Sequence, residues 1–150
     1  MIHTEIQIDA PPSVVREAFL GFAAIPTYHT AYFNKIAPQN TDKKGTPEPG
    51  DMLSCTVKSV TFYPIVEVNS PIEFTWRGTF GSTMIFTGAH SFKYLAVSGN
   101  AEKTRFVHSE VFGGALSGVF ELIGQRYAKA EYEKFNEDFK RHVESKNAGR

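Results

Sequence analysis

Cysteine is nearly absent from this 150-residue chain, Cys55 standing alone, and no Asn-x-Ser/Thr sequon occurs. With no second thiol an internal disulfide is excluded, and a reducing, cytoplasmic setting is the expectation. An excess of either charge is missing too, since 16 Lys and Arg face 16 Asp and Glu. A general nucleic-acid binder needs surplus Lys and Arg to displace phosphate counterions, so no nucleic-acid partner is expected. The longest uncharged stretch, Ala18 to Asn34, is interrupted by Pro26 and polar residues, which argues against integral membrane association. A P-loop, a dinucleotide fingerprint after a strand, His-Glu-x-x-His and Gly-x-Ser-x-Gly are all lacking. What is abundant is aromatic: 13 Phe, 6 Tyr and 1 Trp exceed what a simple core of this size requires and suggest a roomy apolar space to line.

The order of elements follows from periodicity. Ile2, Thr4, Ile6 and Ile8 alternate with polar residues, the period of a strand with one buried face. Pro11-Pro12 stops it and opens a helix whose apolar residues Val14, Val15, Ala18, Phe19 and Phe22 recur at three and four positions. Gly21 and Pro26 limit that helix, and the aromatic stretch Ile25 to Phe33 reads as a second short helix or turn leading into a strand at Phe33 to Pro38. Gln39 to Asp51, with Gly45, Pro47, Pro49 and Gly50, is a loop. From Met52 to Phe112 strand-like runs follow one another, broken near Ser59, Asn69-Ser70-Pro71, Gly81-Ser82 and Ser98-Gly99-Asn100, which predicts antiparallel meander connections. A helical stripe of Leu116, Phe120, Ile123, Tyr127, Ala130, Phe135 and Phe139 then predicts a long C-terminal helix, serving either as a lid over an opening or as simple packing on the sheet. One domain over residues 1–150 is the expectation.

Polar groups fall on the inward parity of three aromatic strands. Trp76, Gly78 and Phe80 share one face; Met84, Gly88, His90 and Phe92 share the next; Phe106, His108, Glu110 and Phe112 share the last. A hairpin turning at Gly99-Asn100 sets residues whose numbers sum to about 200 opposite one another, so His90 lies beside Glu110 and diagonal to His108. Burial there raises the carboxyl pKa, and pairing stabilises an imidazolium, which supplies a proton acceptor and a donor for enolisation, aldol-type cyclisation or dehydration of a carbonyl compound. A satisfied hydrogen-bond cluster that holds the sheet, or a two-His-one-carboxylate metal site, fits the same pattern. Tyr28 and His29 sit where a turn can bring them to a cavity mouth, and Cys55, with no adjacent base, reads as a small buried apolar residue.

The motifs Ile8-Asp-Ala-Pro-Pro-Ser-Val-Val, Pro26-Thr-Tyr-His, Pro49-Gly-Asp, Phe74-Thr-Trp-Arg-Gly, Gly88-Ala-His-Ser-Phe and Thr104-Arg-Phe-Val-His-Ser-Glu-Val-Phe-Gly-Gly, in this order, resemble the START-like (SRPBCC) superfamily. Within it the polyketide cyclase/dehydrase and lipid-transport group is most similar. The resemblance implies an α+β helix-grip (Bet v 1-like) fold: a curved seven-stranded antiparallel sheet around a long C-terminal helix, with two short helices after the first strand. It implies a hydrophobic cavity, and catalytic positions at His90, His108 and Glu110. Relatives often carry Trp-Asn where this chain has Tyr28-His29, and the glycine-rich loop of the plant pathogenesis-related branch is missing here.

The expected function is binding of a small aromatic or polyketide-like molecule, with acid/base cyclisation or dehydration and no metal or cofactor. Tyr28, His29, Phe33, Phe62, Trp76, Phe80, Met84, Phe92, Phe112, Leu116, Phe120 and Ile123 are the expected ligand contacts. A non-catalytic carrier of a lipid, quinone or pigment, and a co-chaperone-like interaction module, are the alternatives; a monomer or homodimer is expected.

Overall fold

The computed structural model describes residues 1–150, and its first strand forms where the alternation places it, β1 over Ile2–Ile8. Helix α1 (Pro12–Leu20) starts with Pro at its first turn, where a missing N–H costs nothing, and buries Val15 and Phe19. A 3-10 turn (Phe22–Ala24) and the four-residue α2 (Ile25–Tyr28) follow. The strands are β2 (Phe33–Pro38), β3 (Leu53–Val57), β4 (Val60–Phe62), β5 (Ile65–Asn69), β6 (Glu73–Phe80), β7 (Phe86–Val97) and β8 (Asn100–Gly113). The chain ends in α3 (Ser117–Ile123), a π-helical turn (Gly124–Ala128) and α4 (Lys129–Ala148).

There are eight strands in two sheets, not seven in one: β1-β8-β7-β6-β5 and β2-β3-β4. Pro64 explains the division. Having no N–H to donate, it interrupts the run Val60 to Asn69, so β4 pairs with β3 while β5 turns to pair with β6. Met52 still bridges to Ile65, which keeps the two sheets adjacent.

The inner face of the larger sheet is a series of cross-strand rows. Ile6, Phe106 and Tyr94 form one, and Thr4, His108, Phe92 and Phe74 the next. Ile2, Glu110, His90 and Trp76 follow, then Phe112, Gly88 and Gly78, then Phe86 and Phe80. Over the first two rows lie α1 and α4. Phe19 sits 4.3 Å from Phe92, and Phe139 4.9 Å from Phe106, all four fully buried. Each such ring removed from water contributes roughly 1.5–3 kcal/mol, so this end carries much of the folding energy.

The long helix is continuous in chain but not in face. Its π turn adds about one residue to the turn and so rotates the face presented by about 100°. Consequently α4 buries Tyr132, Phe135, Asn136, Phe139 and Val143, whereas α3 buries nothing and leaves Leu122 75% exposed. Gly124, at the turn, fits against β1 because a Cβ there would meet Ile2 Cδ1 at 2.6 Å.

Candidate functional site

Where the inner rows reach glycine, the sheet opens into a cavity of about 580 Å³. Its walls are Phe33 and Tyr32, Val57 to Val60 and Phe62 of the smaller sheet, and Trp76, Gly78 to Phe80, Phe86, Gly88, His90 and Glu110 of the larger. Gly78 and Gly88 face each other on adjacent strands. A Cβ on Gly88 would stand 2.7 Å from Glu110 Oε1, so the glycine is what gives that carboxyl its place.

A buried hydrogen-bond chain behind the cavity fixes the imidazole tautomers. The Thr4 hydroxyl donates to the His108 carbonyl (2.8 Å), so it must accept from Asn136 Nδ2 (2.9 Å). Asn136 Oδ1 is thereby left to accept from His108 Nδ1 (3.0 Å). His108 Nε2 is then an acceptor, and His90 Nε2–H donates to it at 2.5 Å. The free lone pair of the chain ends on His90 Nδ1, which stands 4.0 Å from Glu110 Oε2. That carboxyl accepts from the Tyr132 hydroxyl, whose other neighbour is the Tyr32 hydroxyl.

Burial decides the charges. Desolvation pushes the Glu110 carboxyl up to about 7, against the opposing effect of the Tyr132 hydrogen bond. Desolvation, opposed by the Asn136 hydrogen bond, holds His108 down to about 3, and it holds His90 well below the usual imidazole range, with His108 adding to the effect. Both imidazoles are therefore neutral near pH 7, and the expected imidazolium–carboxylate pair does not form. Desolvation also pushes Tyr32 up to about 12, so it stays a hydrogen-bond donor. His90 directs one nitrogen at His108 and the other toward Glu110, so the three groups present no common ligation point; no cluster of His, Cys, Asp and Glu with metal-site geometry occurs.

The structure gathers some of the sequence-predicted residues and disperses others. Phe33, Phe62, Trp76, Phe80, His90 and Glu110 line the cavity, Phe80 at its exposed lip. His108 lies fully buried behind the wall. Phe92 is in the solid core against Phe19. Phe112 packs beside Phe86 at 5.6 Å, and Phe120 stacks on Phe86 at 4.0 Å, both outside the cavity lining. Leu116 and Ile123 are exposed because the π turn takes α3 out of phase with α4. Met84 falls in the turn before β7, 82% exposed, where its carbonyl accepts the Ala115 N–H.

Tyr28 and His29 do not form the mouth. Tyr28 stacks on His142 of α4 at 4.1 Å. His29 is buried, donates from Nδ1 to Asp138 Oδ2 (2.9 Å) and accepts the Tyr32 N–H at Nε2 (3.0 Å). It thus ties the segment carrying Tyr32 and Phe33 to the long helix. Tyr32, Tyr132 and Asn136 escaped the sequence reading. Tyr132 and Asn136 share the α4 face that bears Phe135 and Phe139, where an amide among aromatics was the available signal. Cys55 is buried in the core with its thiol pushed up to about 12 by desolvation, which leaves it unreactive. A second, wider recess of about 630 Å³ between Leu20–Pro26, β2 and Gly45–Pro47 has Lys35 as its only ionisable side chain.

An antiparallel sheet gripping a long helix over a cavity with a buried acid defines a helix-grip, Bet v 1-like protein. The chain belongs to the family of polyketide cyclase/dehydrase and lipid transport, whose model matches residues 1–144, within the START-like superfamily. Among solved structures, a hypothetical protein from Helicobacter pylori superposes with a TM-score of 0.74 at 9% identity, over 94% of this chain and 86% of that one. Norcoclaurine synthase from Thalictrum flavum, a point mutant with a transition-state analogue, gives 0.69 at 9%, over 97% and 94%. The di-domain ARO/CYC StfQ from the steffimycin biosynthetic pathway gives 0.65 at 12%, over 99% of this chain and 46% of that one. At these identities the likeness is one of fold. No curated protein matches the sequence.

Proposed function

We propose that the chain, as one domain, binds a small aromatic or polyketide-like molecule in the 580 Å³ cavity and cyclises or dehydrates it through Glu110. The observation that carries this reading is a carboxyl with a pKa of about 7 in the wall of a largely aromatic cavity. A group with that pKa is present in both protonation states near neutrality, which suits it to take a proton and return it. In a dehydration, the Glu110 carboxylate removes the proton next to a carbonyl and gives it to the departing hydroxyl, which leaves as water. In an aldol closure, the proton goes instead to the oxygen of the attacked carbonyl. Either way Glu110 ends as it began, so no co-reactant is needed.

His90 is too weakly basic to compete for that proton. Its Nδ1 lone pair, held toward Glu110 by His108, Asn136 and Thr4, accepts a hydrogen bond from a substrate hydroxyl and so orients the reacting carbon. His108 is a positioning residue in this reading. Family membership in a cyclase/dehydrase and lipid-transport group supports the ligand class.

The test is to screen polyketides, quinones, sterols and fatty acids by quenching of Trp76, the only tryptophan, and then to assay turnover of whichever class binds. Glu110→Gln should lower turnover about 100-fold or more while binding stays within about tenfold. A ligand recovered unchanged would instead make the protein a carrier of a lipid, quinone or pigment. The interaction-module alternative draws on exposed Val119, Leu122 and Tyr127, but it also required a core without a cavity.

A further inference from the structure

The cavity mouth has one basic side chain, Lys58, at the tip of the β3–β4 hairpin. From it we infer the charge of the ligand: a hydrophobic compound with a carboxylate at its outer end, held by Lys58 while its reacting carbon lies inward at Glu110. This rests on the reading that the cavity holds a hydrophobic ligand, and names that ligand's class.

Three observations converge on Lys58. Its backbone is left-handed, with φ at 56°, the only non-glycine residue of the chain so placed. Glycine is the residue such a turn favours, so a lysine there needs a reason beyond the turn. Second, its backbone N–H donates to the Tyr32 carbonyl at 2.9 Å, which anchors the hairpin tip beside a residue that lines the cavity. Third, Nζ of this cavity-lining residue reaches Glu131 Oε1 on α4, at 2.8 Å. That lysine side chain is 59% exposed. Exposed pairs of this kind contribute little to stability and exchange partners readily. Glu131 is then a stand-in, keeping the ammonium over the opening until a ligand carboxylate takes its place.

The other end of the cavity excludes the reverse orientation. Beside the buried Glu110 a second carboxylate would meet the same desolvation, with no cation at that end to offset it. Only Lys58 offers the acid a counter-charge among the lining side chains. Between the two ends stand Trp76, Phe33 and Phe62, which fit an aromatic or long unsaturated body.

The experiment compares 2-naphthoate with the neutral 2-acetylnaphthalene by calorimetry at about pH 6, with Trp76 quenching as the check on location. The proteins are the wild type, Lys58→Gly, Lys58→Met and Glu131→Gln. Wild type should prefer the acid about fivefold, the upper range for a solvent-exposed ion pair. Both Lys58 variants should lose that preference without losing the ketone, and Lys58→Gly, freed of its strained backbone, should fold at least as well. Glu131→Gln should tighten the acid by about two- to fivefold by removing its competitor. An undiminished preference in Lys58→Gly, or none in wild type, overturns the assignment and leaves the cavity reading intact. Failure of both compounds to quench Trp76 in any of the four proteins overturns the cavity reading itself.

Discussion

Along the same three strands the molecule changes from a solid to a hollow. In the rows of Tyr94–Phe106 and Phe74–Phe92–His108 the inner positions on β6, β7 and β8 are rings met by another ring from α1 or α4. Two rows further on, Gly78 faces Gly88, and the space their missing side chains leave is the cavity. The row between, Trp76–His90–Glu110, belongs to both: packed behind, open in front. Stability and chemistry are thus separated by about two residues of strand. The polar groups are affordable only at that border, where a hydrogen-bond chain satisfies one side and the cavity admits a ligand on the other.

The solid end should break hardest. Phe92→Ala removes a fully buried ring from the centre of the aromatic cluster and should cost about 3–5 kcal/mol in urea denaturation. A loss under about 1 kcal/mol would mean that the cluster is looser than its contacts imply.

The border should respond to pH. Glu110 is protonated in both folded and unfolded chains below its ordinary value of 4.5, and there it has no effect on stability. Between 4.5 and about 7 the folded chain holds the extra proton, so stability falls as pH rises, and above 7 the loss is complete. Glu110→Gln should therefore stabilise the protein at pH 8 by up to about 3 kcal/mol, and the gain should vanish by pH 4. The two imidazoles act with the opposite sign, because the unfolded chain takes up protons below 6.5 that buried His90 and His108 refuse, so acid below that point weakens the fold.

Filling the hollow sharpens the comparison further. Gly88→Ala puts a methyl against Glu110 Oε1 and should cost about 1–3 kcal/mol, while displacing the carboxyl and weakening any ligand bound beside it. On α3, by contrast, Leu122→Ser changes an exposed side chain and should move stability by less than about 0.5 kcal/mol, measured by the same denaturation.

Much of this arrangement could be read from alternation, since a strand with one buried face prints its parity in the sequence. The hairpin at Gly99-Asn100 then fixed the register, and His90 does lie across from Glu110. Parity cannot tell a filled row from an empty one, which is why Phe92 and Trp76 looked alike though one is core and the other cavity wall. Nor does it mark where a strand ends: Met84 continues the alternation of β7 yet lies in the preceding turn. The π turn is invisible to a fixed helical period, so Leu116, Phe120, Ile123 and Tyr127 were extended onto the face that Tyr132 and Asn136 occupy. Histidine charge depends on partners from remote elements. Asn136 and Thr4 lie 28 and 104 positions from His108 in sequence, and no local pattern announces them.

The most direct measurement is the titration of the Glu110 carboxyl by carbon-detected NMR, with Glu110→Gln to assign the signal. A midpoint near 7, rising further in Tyr132→Phe as its hydrogen bond to the ionised form is lost, is the expected result. A midpoint near the ordinary 4.5 would contradict the account, because a carboxyl so placed would be solvated and unable to return the proton it takes.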